Sequence, residues 1–171
     1  MQGDLAQGNG ACAAPDTHQS PPTGQPASHM PAPNREANHA GPRRVMVVED
    51  EPSIRAVVAD ILRFEGYDVR EAGNGLEGLG MLEGWRPHAI VLDLMMPVMD
   101  GWAFAEASHR LLGGDGVPIL VASASPDLSR AATTLRPFGV RAAVAKPFDV
   151  DVLLAAVEHL VQRTTADAWP A

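Results

Sequence analysis

Ala89-Ile90-Val91-Leu92-Asp93-Leu94-Met95-Met96-Pro97-Val98-Met99-Asp100-Gly101 is the stretch that decides the fold. Its first four residues are continuously apolar, as in a strand buried on both faces of a parallel sheet. Asp93 follows at the strand tip, ahead of a loop punctuated by Pro97 and Gly101. A carboxylate there is poorly placed for packing. In open α/β sheets, ligands bind outside the carboxyl ends of the strands, so Asp93 is well placed for chemistry.

The same pattern extends in both directions. Val45-Met46-Val47-Val48 is another continuous apolar run, followed by Glu49-Asp50-Glu51-Pro52. Ile54, Val57, Val58, Ile61 and Leu62 then fall at helical spacing, and Gly66 ends that helix. Tyr67-Asp68-Val69-Arg70 alternates, which suits an edge strand. Asn74 caps a second helix carrying Leu76, Leu79 and Leu82, weakened by Gly75, Gly78 and Gly80 at about 1 kcal/mol each against Ala. Downstream, a helix after Gly101 buries Phe104, Ala107 and Leu111, with Asp100 read as a turn residue. Val117–Val121 is the fourth strand. Ser125 caps the next helix with Pro126 at its first position, and Leu128, Ala131, Ala132 and Leu135 line its inner face. Ala142–Ala145 is the fifth strand. Asp149 caps a last helix with Val150, Leu153, Leu154, Val157 and Val161 inward, ending near Arg163.

Five β-α units in strict alternation imply an α/β fold: a flavodoxin-like (βα)5 doubly wound parallel sheet. The edge character of the second strand suits the order 2-1-3-4-5, whose switch point lies between strands one and three.

Composition bounds the rest. Residues 1–40 of the 171-residue chain hold one Leu, no Val, Ile, Phe, Tyr or Trp, six Pro and four charged residues. Such a segment buries too little apolar surface to offset its ordering entropy, so 1–42 is read as a disordered tail. It lacks the basic start and apolar core of a secretory signal. His18, His29 and His39 are widely spaced and read as solvated. Residues 164–171 form a short C-terminal tail. No apolar run approaches the roughly 18 residues of a membrane span, so no membrane insertion is expected. The single Cys12 permits no intramolecular disulfide and no zinc cluster, and a reducing cytoplasmic compartment fits. A net charge of −8 argues against direct nucleic-acid binding.

The strand ends carry the reactive side chains. Strand one delivers Glu49 and Asp50, strand three Asp93, strand four Ser123 and strand five Lys146. Three carboxylates therefore crowd the cleft at the switch point. Like charges so close repel, and a hard divalent cation with oxygen ligands, Mg²⁺, relieves this. Lys146 is the only lysine of the chain, a compact point charge suited to a phosphoryl oxygen or a carboxylate. Taken singly, each residue has a structural reading: Asp93 as a loop cap, Glu49 and Asp50 as an acidic helix start, Ser123 as a strand-end hydroxyl, Lys146 as a solvated surface charge. His88 and His109 read as structural or exposed, and Trp85, Trp102 and Trp169 have no assignable role.

Four motifs in order, Val47-Val48-Glu49-Asp50-Glu51-Pro52, Asp93 to Gly101, Pro118-Ile119-Leu120-Val121-Ala122-Ser123-Ala124 and Lys146-Pro147-Phe148, resemble the receiver domain of bacterial two-component response regulators over residues 43–163. The resemblance implies that Asp93 is the phosphoacceptor, taking a phosphoryl group from a sensor histidine kinase or a phosphotransfer protein. It implies that Asp50 and Asp93 bind Mg²⁺ directly, with the backbone carbonyl of Met95, while Glu49 acts through a water. Lys146 would pair with a phosphoryl oxygen or, before phosphorylation, with Asp93, and the Ser123 hydroxyl would donate to another. The protein would then be a stand-alone receiver. It would not be an enzyme beyond catalysing its own phosphotransfer and slow dephosphorylation, and would signal through an unknown downstream protein.

Three positions depart from the family pattern. Ala143 stands three residues before the lysine, where receivers often carry Tyr or Phe, so the ring that swings behind the strand-four hydroxyl is missing. Activation is then expected to act through the Ser123 loop and the helix near Pro126. Met95 and Ser125 offer no acid or amide to orient a hydrolytic water. Two alternatives stand beside the switch: a receiver-fold docking module that is never phosphorylated, and a phosphatase-type hydrolase with an Asp nucleophile. The hydrolase pattern resembles one with a second Asp two residues on, where this chain has Met95.

Overall fold

An apolar run buried on both faces must send alternate side chains into two separate cores. Both are present in the computed structural model, which describes residues 41–113 and 116–166. The expectations about the tail, Cys12, the three tail histidines and Trp169 lie outside those residues. The elements run β1 (Arg44–Val48), α1 (Pro52–Phe64), β2 (Asp68–Ala72), α2 (Gly75–Leu82), β3 (Ala89–Leu92), α3 (Gly101–Leu112), β4 (Ile119–Ser123), α4 (Leu128–Leu135), a 3₁₀ turn (Arg136–Phe138), β5 (Val140–Ala145) and α5 (Val150–Ala166). All neighbouring strands pair in parallel, in the expected order β2-β1-β3-β4-β5. Val45 and Val47 point into a core with Val58, Leu62, Leu153 and Val157 of α1 and α5. Met46 and Val48 point into the other, with Leu82, Phe104, Ala131 and Leu135 of α2, α3 and α4.

Helix rotation differs from the expectation at several points. In α1 the buried stripe is Val58, Ala59 and Leu62, and Val57 is exposed. In α3 it is Phe104, Ala105 and Ser108, so Ala107 is half-buried and Leu111 exposed. The expected face is turned by one residue because Ser108 is at home inside, its hydroxyl donating to the Ala105 carbonyl at 3.0 Å. Val150 of α5 is likewise exposed. In α2, Leu76 faces out while Gly75 and Gly78 are buried. A Cβ on Gly78 would lie 3.0 Å from the Phe104 ring, and one on Gly75 2.7 Å from Met99. These glycines let α2 approach its neighbours, which offsets their low helix propensity.

Several boundaries shift. Strand β2 starts at Asp68 and β4 at Ile119. The β4–β5 register steps from Ile119↔Val140 to Leu120↔Ala142, so Arg141 is an extra residue that lengthens β5. Ser125 does not cap α4. Its carbonyl accepts from Leu128 N–H at 3.3 Å and its hydroxyl from Asp127 N–H at 3.3 Å, a turn that delays the helix to Leu128. Asn74 and Asp149 act as expected, accepting from the Glu77 and Asp151 amides at 3.0 and 2.8 Å. Helix α5 continues past Arg163 to Ala166, and the Thr164 hydroxyl donates to the His88 carbonyl at 2.9 Å. His88 is structural: its Nδ1 accepts from the Arg44 amide at 3.0 Å, and burial, then the nearby Arg44 and Arg43, hold its pKa below 6.5. Trp85 is a buried plug before β3, with the Arg70 and Arg44 guanidinium carbons 4.8 and 5.9 Å from its ring.

The loop after β3 is tight at two points. Asp100 caps α3, accepting from the Ala103 amide at 2.8 Å. Gly101 donates to the Leu94 carbonyl at 3.1 Å, and a Cβ on it would lie 2.2 Å from the Asp93 carbonyl oxygen. Only glycine lets the helix start so close to the strand exit. Val98, exposed, has φ 69°, a left-handed conformation that a β-branched residue adopts under strain. Val98→Asn should therefore stabilise the fold by about 1 kcal/mol, seen as a higher denaturant midpoint at unchanged slope.

Candidate functional site

Parallel pairing brings the strand exits to one edge. Val48 is level with Leu92, and the Asp93 amide donates to the Val48 carbonyl at 2.9 Å, so Glu49 and Asp93 leave their strands side by side. Ser123 is level with Ala145, and the Lys146 amide donates to the Ser123 carbonyl at 3.0 Å. The five expected residues Glu49, Asp50, Asp93, Ser123 and Lys146 all lie at this edge. Met95 follows, 67% exposed. Its amide donates to Asp93 Oδ1 at 3.1 Å.

The lysine ammonium sits between two buried carboxylates. Lys146 Nζ lies 2.5 Å from Glu49 Oε2 and 2.7 Å from Asp93 Oδ2. Glu49 and Asp93 are nearly inaccessible, and Ser123 wholly so. Burial pulls the lysine pKa down, but the hydrogen bonds to Asp93 and Glu49 and their charges outweigh it and hold it above 10.5. Lys146 is therefore a permanent cation here. Burial pushes the Glu49 carboxyl above 4.5 even though Lys146 draws it down, and the charges of Asp93 and Asp50 push the same way as burial.

One ammonium does not balance three carboxylates. Glu49, Asp50 and Asp93 each offer an oxygen within 4.8 Å of the others. Glu49 Oε1 is buried with no hydrogen-bond partner, which is costly for a charged group. An oxygen-only donor set with one orphaned buried carboxylate oxygen fits a hard divalent cation. The Ser123 hydroxyl is also buried without a partner, aligned beside Lys146 at the end of β4.

Sequence reasoning missed Arg55. Its Nη1 donates to the carbonyl of Glu49 at 2.6 Å and to that of Asp50 at 3.3 Å. An arginine one turn into a helix carries no local signal of such a contact. Met96 is buried in the core and Met99 packs against it, and Asp100, read as a turn residue, is the α3 cap.

A family model described as the response regulator receiver domain matches residues 45–158. The response regulator MprA of Mycobacterium sp. (strain KMS) is 38% identical over 130 residues, covering 75% of this chain and 55% of the relative. The transcriptional regulatory protein PdtaR of Mycobacterium tuberculosis (strain CDC 1551 / Oshkosh) is 38% identical over 137 residues, covering 78% of this chain and 64% of the relative. The chain thus spans little more than half the length of the MprA relative. Among solved structures, a CheY-like receiver domain protein from Methanospirillum hungatei JF-1 superimposes with a TM-score of 0.67 at 25% identity, covering 74% of this chain and 99% of that one. The chemotaxis protein CheY4 of Vibrio cholerae gives a TM-score of 0.63 at 30% identity, covering 70% and 98%.

The burial of Glu49 has a thermal signature. Because the folded pKa of Glu49 is raised, its contribution to stability is fully present below pH 4.5 and is lost as pH rises through the folded value. Without divalent cations at pH 7, Glu49→Gln should melt above the wild type. The gap should close as pH falls toward 4.5, and added Mg²⁺ should raise the wild-type midpoint more than the variant's. Differential scanning calorimetry across pH, with and without Mg²⁺, checks this.

Proposed function

The chain belongs to the response regulator receiver family of two-component signalling, and from that premise we propose that it is a phosphorylation switch with Asp93 as acceptor. The donor is the phosphohistidine of a sensor histidine kinase or a phosphotransfer protein. The observation that carries this reading is the Lys146 ammonium held 2.7 Å from the buried Asp93 at the edge of the central strands.

Asp93 Oδ1 is oriented by the Met95 amide, and Oδ2 is bound to Lys146. In the transfer, an Asp93 carboxylate oxygen attacks phosphorus and the phosphorus–nitrogen bond of the donor breaks. The donor imidazole leaves with the electron pair and an acyl phosphate forms on Asp93. Lys146 moves its hydrogen bond from the carboxylate to a phosphoryl oxygen. The Ser123 hydroxyl, unpartnered in the unphosphorylated protein, donates to another. Asp50 and Asp93, the Met95 carbonyl and, through a water, Glu49 are the groups that would hold Mg²⁺. When bound, Mg²⁺ neutralises charge on the transferring phosphoryl oxygens.

The protein acts on itself rather than on a separate substrate, and output passes through contacts with a downstream protein. With Ala143 half-buried beside Val121 and no ring at that position, the change spreads from Ser123 through the 123–127 turn into α4.

Incubation with Mg²⁺ and a small acyl-phosphate donor should add one phosphoryl group by intact mass. The adduct should be absent in Asp93→Ala and should not form when Mg²⁺ is chelated. An unmodified wild type would support a phosphorylation-independent docking module, and continuous donor turnover a hydrolase. Met95 is exposed and Ser125 half-buried, and neither offers an acid or amide to orient a hydrolytic water. The double variant Met95→Asn, Ser125→Glu should therefore lose its phosphoryl group severalfold faster than wild type, followed by the same mass measurement over time.

A further inference from the structure

We propose that Arg55 is a positioning residue for the cation site, clamping the backbone that carries Glu49 and Asp50. The inference rests on the divalent-cation reading of the three carboxylates.

Residues 49–51 leave β1 and enter α1 with little local support. Glu51, at the helix cap, accepts no bond from a backbone amide of the helix. It accepts instead from the Ser53 hydroxyl at 2.8 Å. Pro52 contributes no N–H. The Glu49 amide still extends the β1–β2 ladder, donating to the Ala72 carbonyl at 3.1 Å. The Glu49 and Asp50 carbonyls are met by Arg55 Nη1. A part-buried carbonyl stripped of its donor loses free energy comparable to a lost hydrogen bond. The guanidinium thus fixes both peptide planes that set where the two carboxylates point.

Arg55 is itself held from two sides. Its amide donates to the Glu51 carbonyl at 3.0 Å, and its Nε lies 3.8 Å from Glu71 Oε2 on β2. Glu71 also accepts from Arg63 Nη2 at 2.7 Å. The planar fork of arginine lets Nη1 face two carbonyls while Nε faces a carboxylate, a division of donors that a single ammonium cannot copy. Groups that orient metal ligands without touching the metal are the typical outer shell of a metal site. A bare positive charge this near would instead oppose a cation, so the two roles predict opposite signs.

Titrating the full chain with Mn²⁺ and counting free ion by electron paramagnetic resonance separates them. Arg55→Met should bind Mn²⁺ roughly 10-fold more weakly than wild type, Arg55→Lys should recover part of the loss, and Glu71→Gln should show a smaller loss. In phosphorylation by a small acyl phosphate, Arg55→Met should need more Mg²⁺ for half-maximal rate while its maximal rate changes less. Unchanged or tighter Mn²⁺ binding in a folded Arg55→Met would overturn the proposal. If Arg55→Met does not fold, undiminished binding in both Arg55→Lys and Glu71→Gln would do the same. Failure of the wild type itself to bind Mn²⁺ would overturn the cation reading and this proposal with it, a result distinct from equal binding by wild type and variant.

Discussion

Parallel pairing of β1 with β3 forces Glu49, Asp50 and Asp93 onto the same edge of the sheet, and like charges in a buried cleft repel. Much of the site's construction answers that repulsion. Lys146 inserts its ammonium between two of the three. Its position depends on β5, placed next to β4 by a bulged register. The compensation is incomplete: burial first, and then the Asp93 and Asp50 charges, keep the Glu49 pKa raised against the pull of Lys146, and one Glu49 oxygen has no partner. A site held in this state is receptive to positive charge.

The loops around the edge are built to tight tolerances. Gly101 brings α3 against the Asp93 carbonyl, Val98 sits in a left-handed conformation, and Gly75 meets Met99. Such strain persists where surrounding structure over-determines it, and it clusters at functional sites. The segment from Asp93 to Gly101 is thus tightly packed at its far end, where Asp100 caps α3. Across the cleft, the loop carrying Glu49 and Asp50 lacks a side-chain cap and is steadied by Arg55 from within α1. The two sides of the cleft are fixed by different means: steric exclusion on one, a reaching guanidinium on the other.

Under the proposed switch, the side chains of β4 and β5 govern how a change at the site would spread. Ala143 leaves no aromatic ring beside Val121, while Ser123 is completely buried and unpartnered. A hydroxyl in that position is a polar group waiting for an acceptor, and its nearest mechanical neighbour is the Ser125-Pro126-Asp127 turn ahead of α4.

Strand identity and the site residues Glu49, Asp50, Asp93, Ser123 and Lys146 were legible in the sequence. Continuous apolar runs mark doubly buried strands without reference to any partner, and parallel alternation then places those five residues at one edge. Periodicity is a local property, so it identified each helix but not the rotation about its axis. That is why Val57 and Leu111 face out, and why Gly75 and Gly78 are packing residues. Which acid the lysine reaches, where the β5 bulge falls and what holds the Glu49-Asp50 backbone depend on distances between segments far apart in the chain. Arg55 finds its acceptors through the β1 exit and its anchor through β2, a meeting that only the folded sheet arranges.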